Sequence, residues 1–275
     1  MLRSTKTKAQ EATVVTTQDF ITELFCLVDD AMTEVEKHPQ AELHPSEVAT
    51  LALLFASKGV GNRAFYRWLE RDFKHLFPRL PERTRLFRLF VTHREWAQRF
   101  LASPTILGVI DAYGIELIHP MREGRTPHQI GRKGLSNHRW IVGGKLCLLL
   151  NKLGLVVGSA CDTANVSDTV FQPLIKQYQD EMIVCADTGF HAKAGDPKNL
   201  KVCPRGTWNS RMMVETVLSM LTLVNHFKKV MHRVWRYFEM RLGWTMAAFN
   251  ILAKWHGLEP DEEGVVHLSI AEFSL

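Results

Sequence analysis

Two apolar runs that each lead to an aspartate constrain the fold of this chain most strongly. Thr105–Asp111 reads TILGVID, and Glu181–Phe190 reads EMIVCADTGF. In the second run, Asp187 follows the apolar residues and Gly189 breaks the pattern. This predicts a buried strand that ends in a turn, although a buried helix has the same pattern. Open α/β sheets bind ligands beyond the carboxyl ends of their strands, so both aspartates are candidate site residues. The alternative is that Asp187 only hydrogen-bonds the turn that follows it.

A third acid, Glu215, interrupts an apolar segment with helical spacing, Asn209–Met231. The polar residues of this segment recur three or four positions apart, so they form one stripe along the predicted helix. The stripe consists of Arg211, Glu215, Ser219, Thr222, His226 and Lys229. Burying Glu215 without a partner is costly, so the stripe must face water, a partner charge, or a metal with its substrate. Glu215 either pairs with Arg211 in solvent or faces the two aspartates across the end of the sheet.

Composition indicates a soluble globular protein whose charge is unevenly distributed. Of the 275 residues 46% are hydrophobic, and 34 Lys and Arg exceed 29 Asp and Glu. Glu259–Glu272 holds five acids and no Lys or Arg, so the preceding chain is more basic, which favours a polyanion as partner. The five cysteines form no CxxC pair and are expected to be reduced and buried. The sequence has no signal-peptide pattern, membrane span or GxxxxGK[ST] loop, so we expect a cytoplasmic protein without a nucleotide cofactor.

The first hundred residues have helical spacing and many basic side chains. The predicted helices are Asp19–Lys37, Glu47–Ser57 and Arg63–Phe73, after a polar arm at residues 1–18. The Gly59–Asn62 turn between the last two is typical of a helix-turn-helix, but a helical bundle packed on the next domain has the same pattern. Glu82–Leu101 carries five arginines and is either a face for the DNA backbone or a solvated amphipathic helix. Residues 19–102 are therefore a candidate DNA-binding region.

From Thr105 onward the pattern changes from helices to strands. The predicted strands are Ile106–Asp111, Ile115–Ile118, Trp140–Leu150, Leu155–Ala160, Met182–Asp187 and Leu200–Pro204, with a helix at Val166–Tyr178. Three strands, a helix, a fourth strand and further helices is the order of an RNase H-like domain. The expected fold is α/β, with a mixed sheet flanked by helices over residues 103–256. An all-α region precedes it, and an acidic tail at 257–275 follows.

The sequence resembles the DDE transposases of bacterial insertion sequences over about Glu42–Trp255. The resemblance rests on VIDAYGIELI at Asp111, WIVGGKLCLLLNKLGLVVGSACDTANVSD across the predicted hairpin, CADTGFH at Asp187 and RMMVE at Glu215. It implies that these three acids are catalytic and bind the metal ions. Asp168 matches an aspartate that the family often keeps ahead of its helix, where it is either a helix cap or a catalytic group.

The helix that carries the glutamate matches the family only in part. Arg211 matches the arginine that the family has four residues before the glutamate. Trp208 and Thr222 stand where the family has a tyrosine and a lysine. Lys228 or Lys229 could replace that lysine in contacting DNA.

The resemblance implies two Mg²⁺ or Mn²⁺ ions and double-stranded DNA as the partner. Mg²⁺ takes oxygen ligands and keeps several waters, so a few carboxylates and phosphate oxygens suffice to bind it. In such enzymes water first attacks the end of the element, and the freed 3′-hydroxyl then attacks target DNA. A homodimer on DNA is expected because both ends must be handled together. The alternatives are an RNase H-like nuclease without strand transfer and an inactive copy that only binds DNA.

Two basic stretches, Met121–Arg139 and Lys228–Arg241, are expected to hold the DNA backbone, with Trp235 and Tyr237 available to stack a base. The alternative is a solvated face whose aromatic residues lie in the core. The residues expected to bind DNA are Arg125, Arg132, Lys133, Arg211, Lys228, Lys229 and Arg233.

Overall fold

A helical N-terminal region leads into a mixed sheet flanked by helices. The structure is a computed structural model that describes residues 16–136, 138–204, 211–227, 232–258, 268–270 and 273. This confirms the expected α/β class with a preceding all-α region. Within those residues, none of the helices combines the length and the apolar character that crossing a membrane requires.

Residues 16–102, the described part of the N-terminal region, form four α-helices and a 3₁₀ helix. They are α1 (Thr17–Ala31), α2 (Pro45–Lys58), α3 (Asn62–Asp72), α4 (Arg83–Thr92) and the 3₁₀ helix Arg94–Phe100. The first helix begins at a capping box: the Thr16 hydroxyl accepts a hydrogen bond from the Asp19 N–H, and the Asp19 carboxylate accepts one from the Thr16 N–H. Asp19, the predicted start of this helix, is therefore its third residue. The helix ends at Ala31, six residues before the predicted Lys37.

The sheet has six strands in the described part of the chain. They are β1 (Leu107–Ile118), β2 (Arg132–Ser136), β3 (Arg139–Asn151), β4 (Val156–Thr163), β5 (Ile183–Ala186) and β6 (Leu200–Val202). Their order is β2-β3-β1-β5-β6, and β4 also pairs with β3. Strands β1 to β4 pair with one another in antiparallel fashion, whereas β5 runs parallel to β1 and β6 parallel to β5.

Two strand predictions were wrong. The first strand does not stop at Asp111: the antiparallel ladder with β3 runs from Gly108 opposite Asn151 to Ile118 opposite Val142, so the predicted strands 106–111 and 115–118 are one. Such a long strand is possible because β3 supplies thirteen residues as its partner. The second error is an omission, because no strand was predicted in the basic stretch 121–139, where β2 lies at the edge of the sheet.

Three α-helices complete the fold. They are α5 (Gln172–Lys176), α6 (Arg211–Leu223) and α7 (Trp235–His256), and a 3₁₀ turn at Asp168–Phe171, capped by Ser167, precedes α5. The predicted helix 209–231 is too long at its end: α6 stops at Leu223, and His226 beyond it has a positive φ of 51°. Residues 228–231 lie outside the described ranges.

Helix α7 joins the helical region to the sheet. It packs against α2, α4, the 3₁₀ helix Arg94–Phe100 and β4. The buried Asn250 side chain accepts a hydrogen bond from the Val156 N–H and donates to the carbonyls of Val156 and Phe100. The apolar core is consequently continuous from α1 to α7.

Candidate functional site

The pairing of β1 with β5 places two of the predicted acids side by side. The last described parallel pair is Val109 with Cys185, and two residues further along each chain come Asp111 and Asp187. Residues two apart in extended chain point to the same face, and Asp187 keeps an extended backbone with φ −78° and ψ 176°. Both aspartates therefore lie on one face of the sheet, at the point where β5 ends. Asp111 is in the middle of its own strand but at the carboxyl end of its parallel neighbour.

Asp187 also has the local role that the sequence allowed for it. Its Oδ1 accepts a hydrogen bond from the Gly189 N–H at 2.8 Å and caps the 3₁₀ turn Thr188–Phe190. The Asp111 carboxylate accepts the N–H of the following residue, Ala112, at 2.8 Å. A carboxylate has two oxygens and about four lone-pair sites, so neither bond prevents metal binding.

A third aspartate, Asp168, lies beside Asp187. Its Oδ2 is 2.8 Å, and the Asp187 Oδ1 is 3.0 Å, from the position that a Cβ on Gly189 would occupy. The other oxygen of Asp168 accepts a hydrogen bond from Lys145 Nζ at 3.0 Å, and this lysine also donates to the Val166 carbonyl at 2.7 Å. Lys145 therefore neutralises one acid of the site and ties the loop before α5 to β3.

The buried thiol of Cys147 is near enough to both Asp168 and Asp111 to be affected by their charges. Burial raises the pKa of this thiol well above its ordinary value, and the negative charges of Asp168 and Asp111 raise it further, whereas Lys145 lowers it. Asp111, Asp168 and Asp187, called here the aspartate group, thus surround one end of the parallel part of the sheet.

Glu215, the third predicted acid, lies on a helix and not on the sheet. It lies in the second turn of α6, which packs against β1 through the buried residues Val214, Val217 and Leu221. Its side chain is exposed. The remaining apolar residues of the helix are not uniformly buried, since Met212 and Leu223 are 66% and 74% exposed. In the described ranges no three His, Cys, Asp or Glu side chains form a group that could hold a metal ion. A metal centre completed by Glu215 stays a prediction.

The residues predicted to bind DNA have diverse environments. Arg125, Arg132 and Arg233 are exposed. Lys133 is already engaged, because its Nζ lies 3.1 Å from the Glu123 carboxylate and 5.5 Å from the centre of the Trp140 ring. Three members fall outside what the structure describes, namely the side chain of Arg211 and residues Lys228 and Lys229.

Two other residues of the predicted basic segment 228–241 also depart from expectation. Arg241 is only 4% exposed and is not a surface contact. Trp235 is half-buried, and its indole N–H donates to Glu239 at 2.8 Å, which favours a structural role over base stacking.

Sequence reasoning missed Lys145. The sequence feature that could have identified it is that Lys145 is the only charged residue between Trp140 and Leu150, in an otherwise apolar strand. A lysine at such a position needs a buried acceptor, and the structure supplies Asp168.

No protein-family model matches the chain, and no curated protein matches it.

Proposed function

We propose that this protein is a DNA transposase of the DDE type with an RNase H-like catalytic domain. It would cut at insertion-sequence ends and join the 3′-hydroxyl to target DNA. The observation that carries the proposal is that Asp111 on β1 lies beside Asp187, which directly follows the parallel strand β5. The chain order supports it: three antiparallel strands (β1, β3 and β4), then α5, then β5 agree with the order of an RNase H-like domain, with β2 as an addition.

In this proposal Asp111 and Asp187 hold Mg²⁺ or Mn²⁺ together with a third acid. Their oxygens are the ligands that these ions take. Two bound ions would activate the attacking oxygen and stabilise the leaving oxygen during displacement at phosphorus. The resemblance assigns the third acid to Glu215. Asp168 is the second candidate because it lies next to Asp187.

The ion pair between Lys145 and Asp168 favours a positioning role for Asp168. Part of its charge is already neutralised by a lysine whose side chain is only 15% exposed. A carboxylate in such a pair is a weaker metal ligand than one that faces only water. The ion pair also fixes the position of Asp168 next to Gly189, whose N–H donates to the Asp187 carboxylate. Asp168 therefore helps to hold Asp187 in place.

The experiment is a cleavage and strand-transfer assay on the terminal DNA of the element that flanks the gene. The wild type should cut and join with Mg²⁺ or Mn²⁺ and do neither with EDTA. Asp187→Asn and Glu215→Gln should each abolish cleavage, by about a thousandfold or more, while DNA binding persists. Glu116→Gln is the matched control, because this acid is also on β1 but five residues beyond Asp111. Cleavage by Asp187→Asn at the wild-type rate would refute the assignment.

The same assay separates the alternatives. If Glu215→Gln cuts normally and Asp168→Asn does not, the third acid is Asp168. Cutting that is never followed by joining identifies an RNase H-like nuclease. DNA binding without cutting in any divalent metal identifies an inactive DNA-binding copy. A homodimer would appear as a complex of two protein chains with two DNA ends, measured by light scattering.

A further inference from the structure

A cavity of about 470 Å³ lies between the N-terminal helices and the start of α7, away from the aspartate group. It is lined by the turn Gly59–Asn62, by Arg83 and Thr84 at the start of α4, and by His232–Val234 and Arg241. Three of the lining side chains are arginines, and within the described ranges no Asp or Glu side chain lines it. Its volume falls in the range of sites that hold small ligands. The cavity is therefore positively charged and large enough for a small ligand.

Two helices begin at this cavity. Asn62 is the first residue of α3, which has eleven residues, and Arg83 is the first residue of α4, which has ten. Neither helix has a side-chain hydrogen bond at its cap, where the residues are Gly61 and Glu82. The N–H groups of a first helical turn lack partners within the helix and carry partial positive charge, so two such ends together favour an anion.

Arg241 provides an independent indication of an absent ligand. Its side chain is 4% exposed, its Nη1 donates to the Val60 carbonyl at 2.9 Å, and its guanidinium lies 4.5 Å from the centre of the Phe55 ring. Its Nη2 is buried and has no hydrogen-bond partner among the described residues. Burial lowers the pKa of Arg241 to about 10. A buried cation with an unused donor is costly unless an anion compensates it.

We propose that this cavity binds a phosphate-type oxyanion between the N-termini of α3 and α4, with the guanidinium of Arg241 as its buried counter-charge. Arg83 and Arg233 also line the cavity and add charge, and a guanidinium donates to phosphate oxygens through two parallel N–H groups. The anion is either the backbone phosphate of a nucleic acid or a free phosphate group. The site does not depend on the chemistry of the aspartate group, so either proposal can fail without the other.

Gly61 permits a matched test. A Cβ at this position would meet nothing within 4 Å, and its backbone (φ −74°, ψ 157°) suits any residue. Both Gly61→Asp and Gly61→Asn should cap α3, because aspartate and asparagine accept hydrogen bonds from first-turn N–H groups equally well. Only the aspartate places a negative charge in the cavity. Circular dichroism should show that both variants fold.

The measurements are calorimetric titration with inorganic phosphate at fixed ionic strength and fluorescence anisotropy with a short DNA duplex. Wild type and Gly61→Asn should bind phosphate, whereas Gly61→Asp and Arg241→Met should bind it at least about tenfold more weakly. An equal loss of DNA affinity in Gly61→Asp identifies a backbone phosphate as the ligand. Unchanged DNA affinity identifies a free phosphate group. Gln179→Asp, an added acid elsewhere on the surface, corrects for the change in net charge.

Two results would overturn the proposal. One is that Gly61→Asp weakens the binding of neither inorganic phosphate nor DNA relative to the wild type. The other is that the aspartate and asparagine variants at position 61 bind both ligands equally, which would show that the charge of the cavity is irrelevant.

Discussion

Lys145 has an environment that strands seldom give to a charged side chain. It lies within the apolar β3, 15% exposed, and its ammonium group has two acceptors, the Asp168 carboxylate and the Val166 carbonyl. Removing a single partner from such a group leaves the other charge poorly compensated, whereas replacing both partners removes the demand for compensation. Lys145 is therefore tolerated in β3 because Asp168 compensates its charge, and the two residues can be tested together.

We expect Lys145→Met to lower the free energy of unfolding by about 1–3 kcal/mol, because Asp168 then lacks its cation. Adding Asp168→Asn to this variant should recover a large part of the loss. Urea denaturation of the four proteins of this double-mutant cycle gives the coupling energy. Lys133→Met is the control, since its pair with Glu123 is exposed and should contribute little. Strictly additive losses for Lys145 and Asp168 would contradict the interpretation.

Helices and strands were predicted best where the residue pattern alone sets the structure. The strands β3, β4, β5 and β6 begin within two residues of their predicted starts, because apolar runs bounded by turns leave little choice. The length of β1 could not be predicted, since Asp111 and Gly114 interrupt the apolar pattern and only the long partner β3 makes this part a strand. The end of α6 at Leu223 was also missed, because the apolar pattern continues past it to Met231.

In the candidate site, too, local sequence pattern predicted some features, whereas others depend on contacts between distant segments. That Asp111 and Asp187 are candidate site residues follows from their runs, but their closeness depends on a parallel pairing between distant segments. The Lys145–Asp168 pair joins positions 23 apart and left no periodic signal. The cavity at Arg241 brings together residues 181 positions apart, as in its bond to the Val60 carbonyl. Such contacts arise from tertiary packing, which a single sequence does not encode in local pattern.

At the junction of elements, Asn250 is the residue whose loss should cost most. It satisfies the Val156 N–H and two carbonyls inside the core, so it holds α7, β4 and the 3₁₀ helix Arg94–Phe100 together. Asn250→Ala should lower the free energy of unfolding by about 2–4 kcal/mol, because buried polar groups lose their partners. Urea denaturation measures the loss. Thr216→Ala on the exposed face of α6 should be nearly neutral, and an equally small effect at Asn250 would refute its role.

The whole molecule should become less stable as the pH falls below about 6.5, and His232 is one identifiable cause. Burial, followed by the nearby charge of Arg241, lowers the pKa of His232 from 6.5 to about 4. Between these values the unfolded chain binds a proton that the folded protein does not, so folding stability rises with pH in this window. The contribution of His232 is lost as the pH falls from 6.5 towards 4.

We expect this residue to account for a loss of about 2 kcal/mol in the free energy of unfolding between pH 7 and pH 5. His232→Gln should remove that part of the pH dependence, and urea denaturation at several pH values would measure the difference. His38→Gln provides a control at an exposed histidine. Identical pH profiles for wild type and His232→Gln would contradict the assignment.

The position of α7 has a consequence for synthesis on the ribosome. Every residue of α2 from Val48 to Ser57 is buried, in part by packing against α7, which begins roughly 180 residues later. At about 5–20 residues per second, translation needs roughly 10–35 s to proceed from α2 to the start of α7. During this interval the nascent chain carries an apolar helix that cannot finish folding, and this exposed surface is what chaperones recognise. Vectorial synthesis thus delays the completion of the N-terminal helices until the last helix has emerged.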